Sequence, residues 1–180
     1  MKGFNMHFIR TTFLCLSLGF ASMVNAEGGI ITNQADIVDI VAAINIGEIQ
    51  AADVAMKKAQ NPEVKKFAQQ MHEEHNALNK EIMNLDIKLG IPNDRSERSM
   101  LIKEKSEFTL NRLKDKTGQD FDETYIEDQV MMHKLALETL EHSLIPSAKD
   151  AKLKTALQKA RENVMKHLKH AQALEEQVDK

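Results

Sequence analysis

The chain has 180 residues, enough for one domain and little beside it. Aromatics make up 4% of it, with no Trp and one Tyr, and there are only 7 Gly and 3 Pro. So lean a supply of strand and turn formers argues against a β-sandwich or barrel. With 42% apolar and 28% charged residues the chain has the composition of a folded globular domain, and its net charge of -3 offers no basic footprint for nucleic acid.

Residues 1–26 read as a Sec-type secretory signal. Lys2 and Arg10 are its basic region, Phe13 to Ala21 its short apolar stretch, and Val24-Asn25-Ala26 a small-residue cleavage site before Glu27. The apolar stretch is about half the roughly 20 residues of a membrane-spanning helix. Phe13-Leu14 ahead of Cys15 do not make a lipoprotein motif. The expectation is a periplasmic protein, residues 27–180, with no membrane span after cleavage. Removing Lys2 and Arg10 from 24 basic residues leaves 22 against 27 acidic ones, a net charge of -5. It also removes Cys15, the only cysteine, and with it thiol nucleophiles, cysteine-based zinc sites and disulfides.

The rest of the chain reads as helix throughout. From Asn33 a 3.6-residue pattern carries Ile37, Ile40, Val41, Ile44, Glu48, Ala51, Ala52 and Ala55 on one face and stops near Gln60. Asn61 is placed to cap a second helix with Pro62 at its first position. That stripe runs Val64, Phe67, Ala68, Met71, His75, Leu78, Ile82, Leu85 and Leu89, ending at Gly90-Ile91-Pro92. A shorter amphipathic piece, Ser96 to Lys116, carries Leu101, Phe108, Leu110 and Leu113 and breaks at Thr117-Gly118. The next stripe is Phe121, Tyr125, Ile126, Val130, His133, Leu137, Leu140 and Leu144, closed by Ile145-Pro146-Ser147. The last extends from Leu153 through Leu157, Ala160, Val164 and His167 to Val178.

Four long helices with one apolar face each predict an all-α four-helix bundle. The links at Asn61-Pro62 and Pro146 are tight, whereas residues 90–118 contain a helix long enough, at about 1.5 Å per residue, to run most of the bundle's length. Two antiparallel hairpins joined by one lengthwise crossover is the ferritin-like connectivity. The alternative is an up-down-up-down bundle with the fifth helix across one end.

His75, His133 and His167 fall inside the apolar stripes of three helices, and Glu48 inside the fourth. Counted from the end that holds Asn61, Glu48 is 13 residues before the turn and His75 is 14 after it. With a full-length crossover, His133 is 14 residues from Gln119 and His167 is 11 from Val178. All four then lie within about one turn, roughly 5 Å along the axis. One carboxylate and three imidazoles at one level suit a single divalent transition metal: zinc, copper, iron or nickel. The competing interpretation is a buried hydrogen-bonded layer in which Glu48 pairs with a histidine and Tyr125 completes the network. His72 and His170 share helix faces with His75 and His167 at a spacing of three and sit at the edge, and Glu74 is placed to support a ligand. Met71, Met132 and Met165 near the same level would suit Cu(I), although methionine also fills cores.

The runs Pro62-Glu63-Val64-Lys65-Lys66-Phe67-Ala68, Met71-His72-Glu73-Glu74-His75 and Gly118-Gln119-Asp120-Phe121-Asp122-Glu123-Thr124-Tyr125, followed by His133, resemble the exported bacterial family called domain of unknown function 4142. The likeness spans about residues 32–178. It implies a ferritin-like bundle in the bacterial envelope, with an acid–histidine pair matching Glu74-His75 and histidines matching His133 and His167. Some members carry an outer-membrane label, which helical stripes do not support. The family has no settled activity to inherit. Ferritin-like di-iron proteins carry Glu-x-x-His on two helices. Here His72 and Val164 stand where those glutamates would be, so a mononuclear site is expected.

The sequence therefore predicts an exported, monomeric or weakly dimeric bundle that binds one transition metal through Glu48, His75, His133 and His167, in envelope metal handling or stress tolerance. A non-enzymatic structural or interaction protein, whose histidines only specify the core, is the alternative. An iron oxidoreductase is the third class.

Overall fold

The structure, a computed structural model, describes residues 34–90 and 96–178. The secretory signal expected over residues 1–26 lies outside them. The described residues are helical, with no strand: α1 (Gln34–Lys58), α2 (Pro62–Leu89), α3 (Glu97–Asp115), α4 (Gly118–Thr139) and α5 (Ala151–Val178). None of these helices is long and apolar enough to cross a membrane.

The ends follow from local chemistry. Asn61 Oδ1 accepts from the backbone N–H of Glu63 and Val64, and Pro62 starts α2 where no hydrogen bond is owed to its nitrogen. Gly90 closes α2 in the left-handed region at φ 60°, which a residue with a Cβ enters at a cost. Beyond α4 the helix changes register: Leu140–Leu144 form a π turn, the N–H of Ile145 bonding to the carbonyl of Leu140, before a last turn Ile145–Ser147. Pro146 lies within that last turn, and proline has no N–H and clashes with the carbonyl four residues back in a regular helix. The stripe periodicity contained no sign of this π turn.

Side chains fix how the helices run. Asp122 of α4 accepts from the backbone N–H of Gln60 and Asn61, the latter at 2.7 Å, so α4 begins beside the α1–α2 turn. Gln34, at the start of α1, accepts from the N–H of Lys149 and Asp150, so α5 begins at the opposite end. Asp39 near the start of α1 accepts from Ser96 N–H, and Lys58 at its end donates to the carbonyls of Leu113 and Lys114. α3 therefore runs alongside α1 in the same direction, and Arg112 ties it to Asp128 of α4. The two helices come close enough at Gly47 that a Cβ there would meet the Ser106 side chain.

The expected apolar stripe of α3 is corrected in part. Ile102, Leu110 and Leu113 are buried, whereas Leu101 and Phe108 are exposed, Phe108 by 65%. Leu101 is one residue from Ile102 and so turned by about 100°, and Phe108 is two residues from Leu110 and turned by about 200°.

The apolar core is in two pieces. One, toward the Asn61 turn, contains Phe67, Met71, Phe121 and Tyr125 among small residues such as Ala52, Ala55 and Ala171. The other, toward Pro146, is aliphatic, with Ile37, Val41, Ile82, Leu144, Leu153 and Leu157. Asn45, Glu48, His75, Gln129, His133 and His167 lie between the two, each at most 5% exposed.

Candidate metal centre

The polar layer draws on four helices, because α1 and α2, and α4 and α5, each cross it once. His75, His133 and His167 come together: one ring nitrogen from each lies within 4.8 Å of the others. Their ring centroids are 5.9 Å (His75–His133), 5.5 Å (His75–His167) and 5.3 Å (His133–His167) apart.

Each ring is held by its second nitrogen. His75 Nδ1–H donates to Asn45 Oδ1 at 2.9 Å, and His133 Nδ1–H donates to the carbonyl of Gln129, one turn earlier, at 2.9 Å. His167 Nε2–H donates to the Glu74 carboxylate at 2.8 Å. A neutral imidazole that donates from one nitrogen carries a lone pair on the other. The nitrogens so assigned, His75 Nε2, His133 Nε2 and His167 Nδ1, are the ones left buried without a hydrogen-bond partner among the described residues. Burial, and then the neighbouring His133 and His167, hold His75 well below the ordinary imidazole value of 6.5. Burial also lowers His167, against the hydrogen bond to Glu74. Both causes favour the neutral form that metal coordination requires.

Glu48 was expected as a fourth member. It is buried at the same level, but its carboxylate accepts from Gln129 Nε2 at 2.8 Å, and the group within 4.8 Å contains the three histidines alone. Tyr125, one turn before Gln129, has a fully buried hydroxyl with no hydrogen-bond partner among the described residues, and burial and the charge of Glu48 raise it well above 10.0. A carboxylate buried this deeply is costly unless hydrogen bonds or a cation answer its charge.

Glu74 takes the supporting position expected for it. Its second oxygen accepts from Gln70 Nε2 at 2.8 Å, and Gln70 Oε1 accepts from His170 Nδ1–H at 3.2 Å. Burial raises Glu74, yet the bonds from His167 and Gln70 outweigh it and bring the carboxyl below its usual range. His170 thus joins the edge of the network, while His72 pairs with Asp53 at 2.8 Å on the surface. The expected methionines separate. Met71 is in the core, Met132 borders the layer, and Met165 is 45% exposed and turned away.

The sequence pattern did not single out Asn45 and Gln129. Both fit it in hindsight: Asn45 stands one turn before Glu48, and Gln129 sits midway between Tyr125 and His133 at spacings of four.

A cavity of about 30 Å³ adjoins the layer. Asn45, Glu48, His75 and His133 form its polar side, and the rest of its wall is aliphatic apart from Met132.

The class of protein is thus a helical bundle whose apolar core is interrupted by a layer of buried, oriented histidines. The chain belongs to the family described as Domain of unknown function (DUF4142), whose model matches residues 20–174. No curated protein and no solved structure has significant similarity to the chain.

Proposed function

We propose that this protein binds one divalent transition metal, of the zinc, copper, iron or nickel class, through His75, His133 and His167. On this reading it is an exported bundle of ferritin-like topology, two hairpins joined by the α3 crossover, and serves metal handling or stress tolerance in the bacterial envelope. The observation that carries the metal is the set of three buried nitrogens, each bearing a lone pair because its ring's other nitrogen is engaged by a carbonyl or carboxylate oxygen. A His–carboxylate pair such as His167–Glu74 is the arrangement that orients metal ligands. Tetrahedral bonds of about 2.0–2.1 Å would place the nitrogens about 3.3 Å apart, so the three rings would close in on the ion by small rotations.

Charge supports a divalent ion. Three neutral imidazoles leave such an ion at +2, and the carboxylates of Glu48 and Glu74 match it. Glu48 lines the same cavity as His75 and His133, which would put its charge near a bound ion. A purely structural layer would leave three buried ring nitrogens unsatisfied, at about 1–3 kcal/mol each. Too few carboxylates face the layer to bridge two irons, which favours a mononuclear site.

Elemental analysis of protein purified without tag or chelator, with zinc titration of the apo form, tests the proposal. About one equivalent is expected in the native protein, and none in the His75→Ala/His133→Ala variant. A folded native protein that neither contains nor takes up zinc, copper, iron or nickel would refute it, leaving a structural or interaction role.

A further inference from the structure

The cavity has a feature that metal retention does not need. Among the residues that line it, His75 and His133 carry two of the proposed metal-binding nitrogens, and the Nδ2 amide of Asn45 is a further atom without a hydrogen-bond partner among the described residues. Asn45 is 1% exposed, and its Oδ1 is already committed to His75. The amide Nδ2 therefore has two N–H donors without a partner among the described residues, next to His75. The opposite wall is aliphatic and includes Leu140 and Leu144, which begin and end the π turn. Such register changes recur at functional sites. A volume of about 30 Å³ is room for about two water-sized groups.

These features select the occupant by chemistry. Its small size excludes organic substrates. The aliphatic wall and the Glu48 carboxylate together disfavour anions, which would be desolvated against a like charge. A donor amide beside a histidine-bound metal would favour a ligand whose far atom gains negative charge on coordination. We infer that the cavity is a binding site for a small uncharged diatomic ligand, of the dioxygen or nitric oxide class, which would coordinate a histidine-bound ion able to donate electron density, Fe(II) among the proposed metals, and accept a hydrogen bond from Asn45 Nδ2. This inference rests on the metal reading above.

The test uses the protein loaded anaerobically with Co(II), whose visible bands report coordination, and titrated with nitric oxide and separately with azide. Ala160→Leu and Ala136→Leu each put a larger side chain at the cavity wall and leave every proposed ligand residue unchanged. The expected result is a saturable band shift with nitric oxide and at least tenfold weaker response to azide. Either filled variant should keep one equivalent of Co(II) and lose at least tenfold in nitric oxide affinity. Circular dichroism identifies whichever variant is folded for the comparison. Bands that nitric oxide leaves unchanged, azide binding as well as nitric oxide, or a folded filled variant that responds like the native protein would each overturn the inference and leave metal binding intact. Absence of Co(II) bands in the native protein would remove the metal site and this inference with it.

Discussion

The two halves of the core are built on different principles. Toward Asn61, small residues on α1 (Ala51, Ala52, Ala55) and Ala59 just after it pack with the buried rings of Phe67, Phe121 and Tyr125. Phe121 and Tyr125 stack with an interplanar angle of 8°, and Phe67 meets Tyr125 edge-on. Toward Pro146 the residues are branched aliphatics, the helix register is broken by a π turn, and the cavity lies beside the polar layer. Helices lined with alanine approach closely and let planar rings fill the remaining space. Leucine and isoleucine hold helices farther apart, and a register break adds a gap. The first half therefore anchors the histidine layer, and the second leaves room beside it.

That contrast can be broken by mutation, most strongly in the anchoring half. Phe67→Ala removes a fully buried ring and is expected to cost about 3–5 kcal/mol in urea unfolding. The layer itself responds to its ion. Zinc at 100 times its Kd should stabilise the apo protein by about 2.7 kcal/mol in thermal or urea unfolding, and not at all in His75→Ala/His133→Ala. Overpacking separates the halves most directly. Ala52→Leu, in the closed half, should cost about 1–3 kcal/mol, whereas Ala160→Leu, at the cavity, should cost less than about 1 kcal/mol. Equal costs would show that the halves are packed alike.

Acid tests the layer in another way. His75 is neutral when folded and free to protonate when unfolded, so the unfolded chain binds more protons once the pH falls below 6.5. Stability of the apo protein is full above that value and falls below it, by about 1.4 kcal/mol per pH unit for one such histidine. Glu74, lowered by its partners, acts in the same sense only below 4.5. Urea midpoints at pH 7 and pH 5.5 measure the slope, which His75→Ala should flatten. The smallest effect belongs to the turn that anchors the closed half: Asn61→Ala should cost about 1 kcal/mol through the lost cap on α2.

Much of this was legible in the chain. Stripe periodicity located the helices, Asn61-Pro62 and Gly90 marked their ends, and the presence of His75, His133 and His167 on apolar faces put them in the core. The spacing count placed them at one height with Glu48, and the structure buries all four at that level. Those features depend on local backbone preference and on which face a residue occupies, and both are written in consecutive residues. The exposure of Phe108 was not legible, since the rotation of α3 about its own axis relative to α1 decides which of two apolar strips is covered. Nor was the partition of the layer, in which Gln129 takes Glu48 while Asn45, the Gln129 carbonyl and Glu74 each engage a histidine. Apart from the bond between His133 and the Gln129 carbonyl, these hydrogen bonds of about 3 Å join atoms from different helices, and only the packed arrangement determines which polar atoms pair and which three nitrogens stay free.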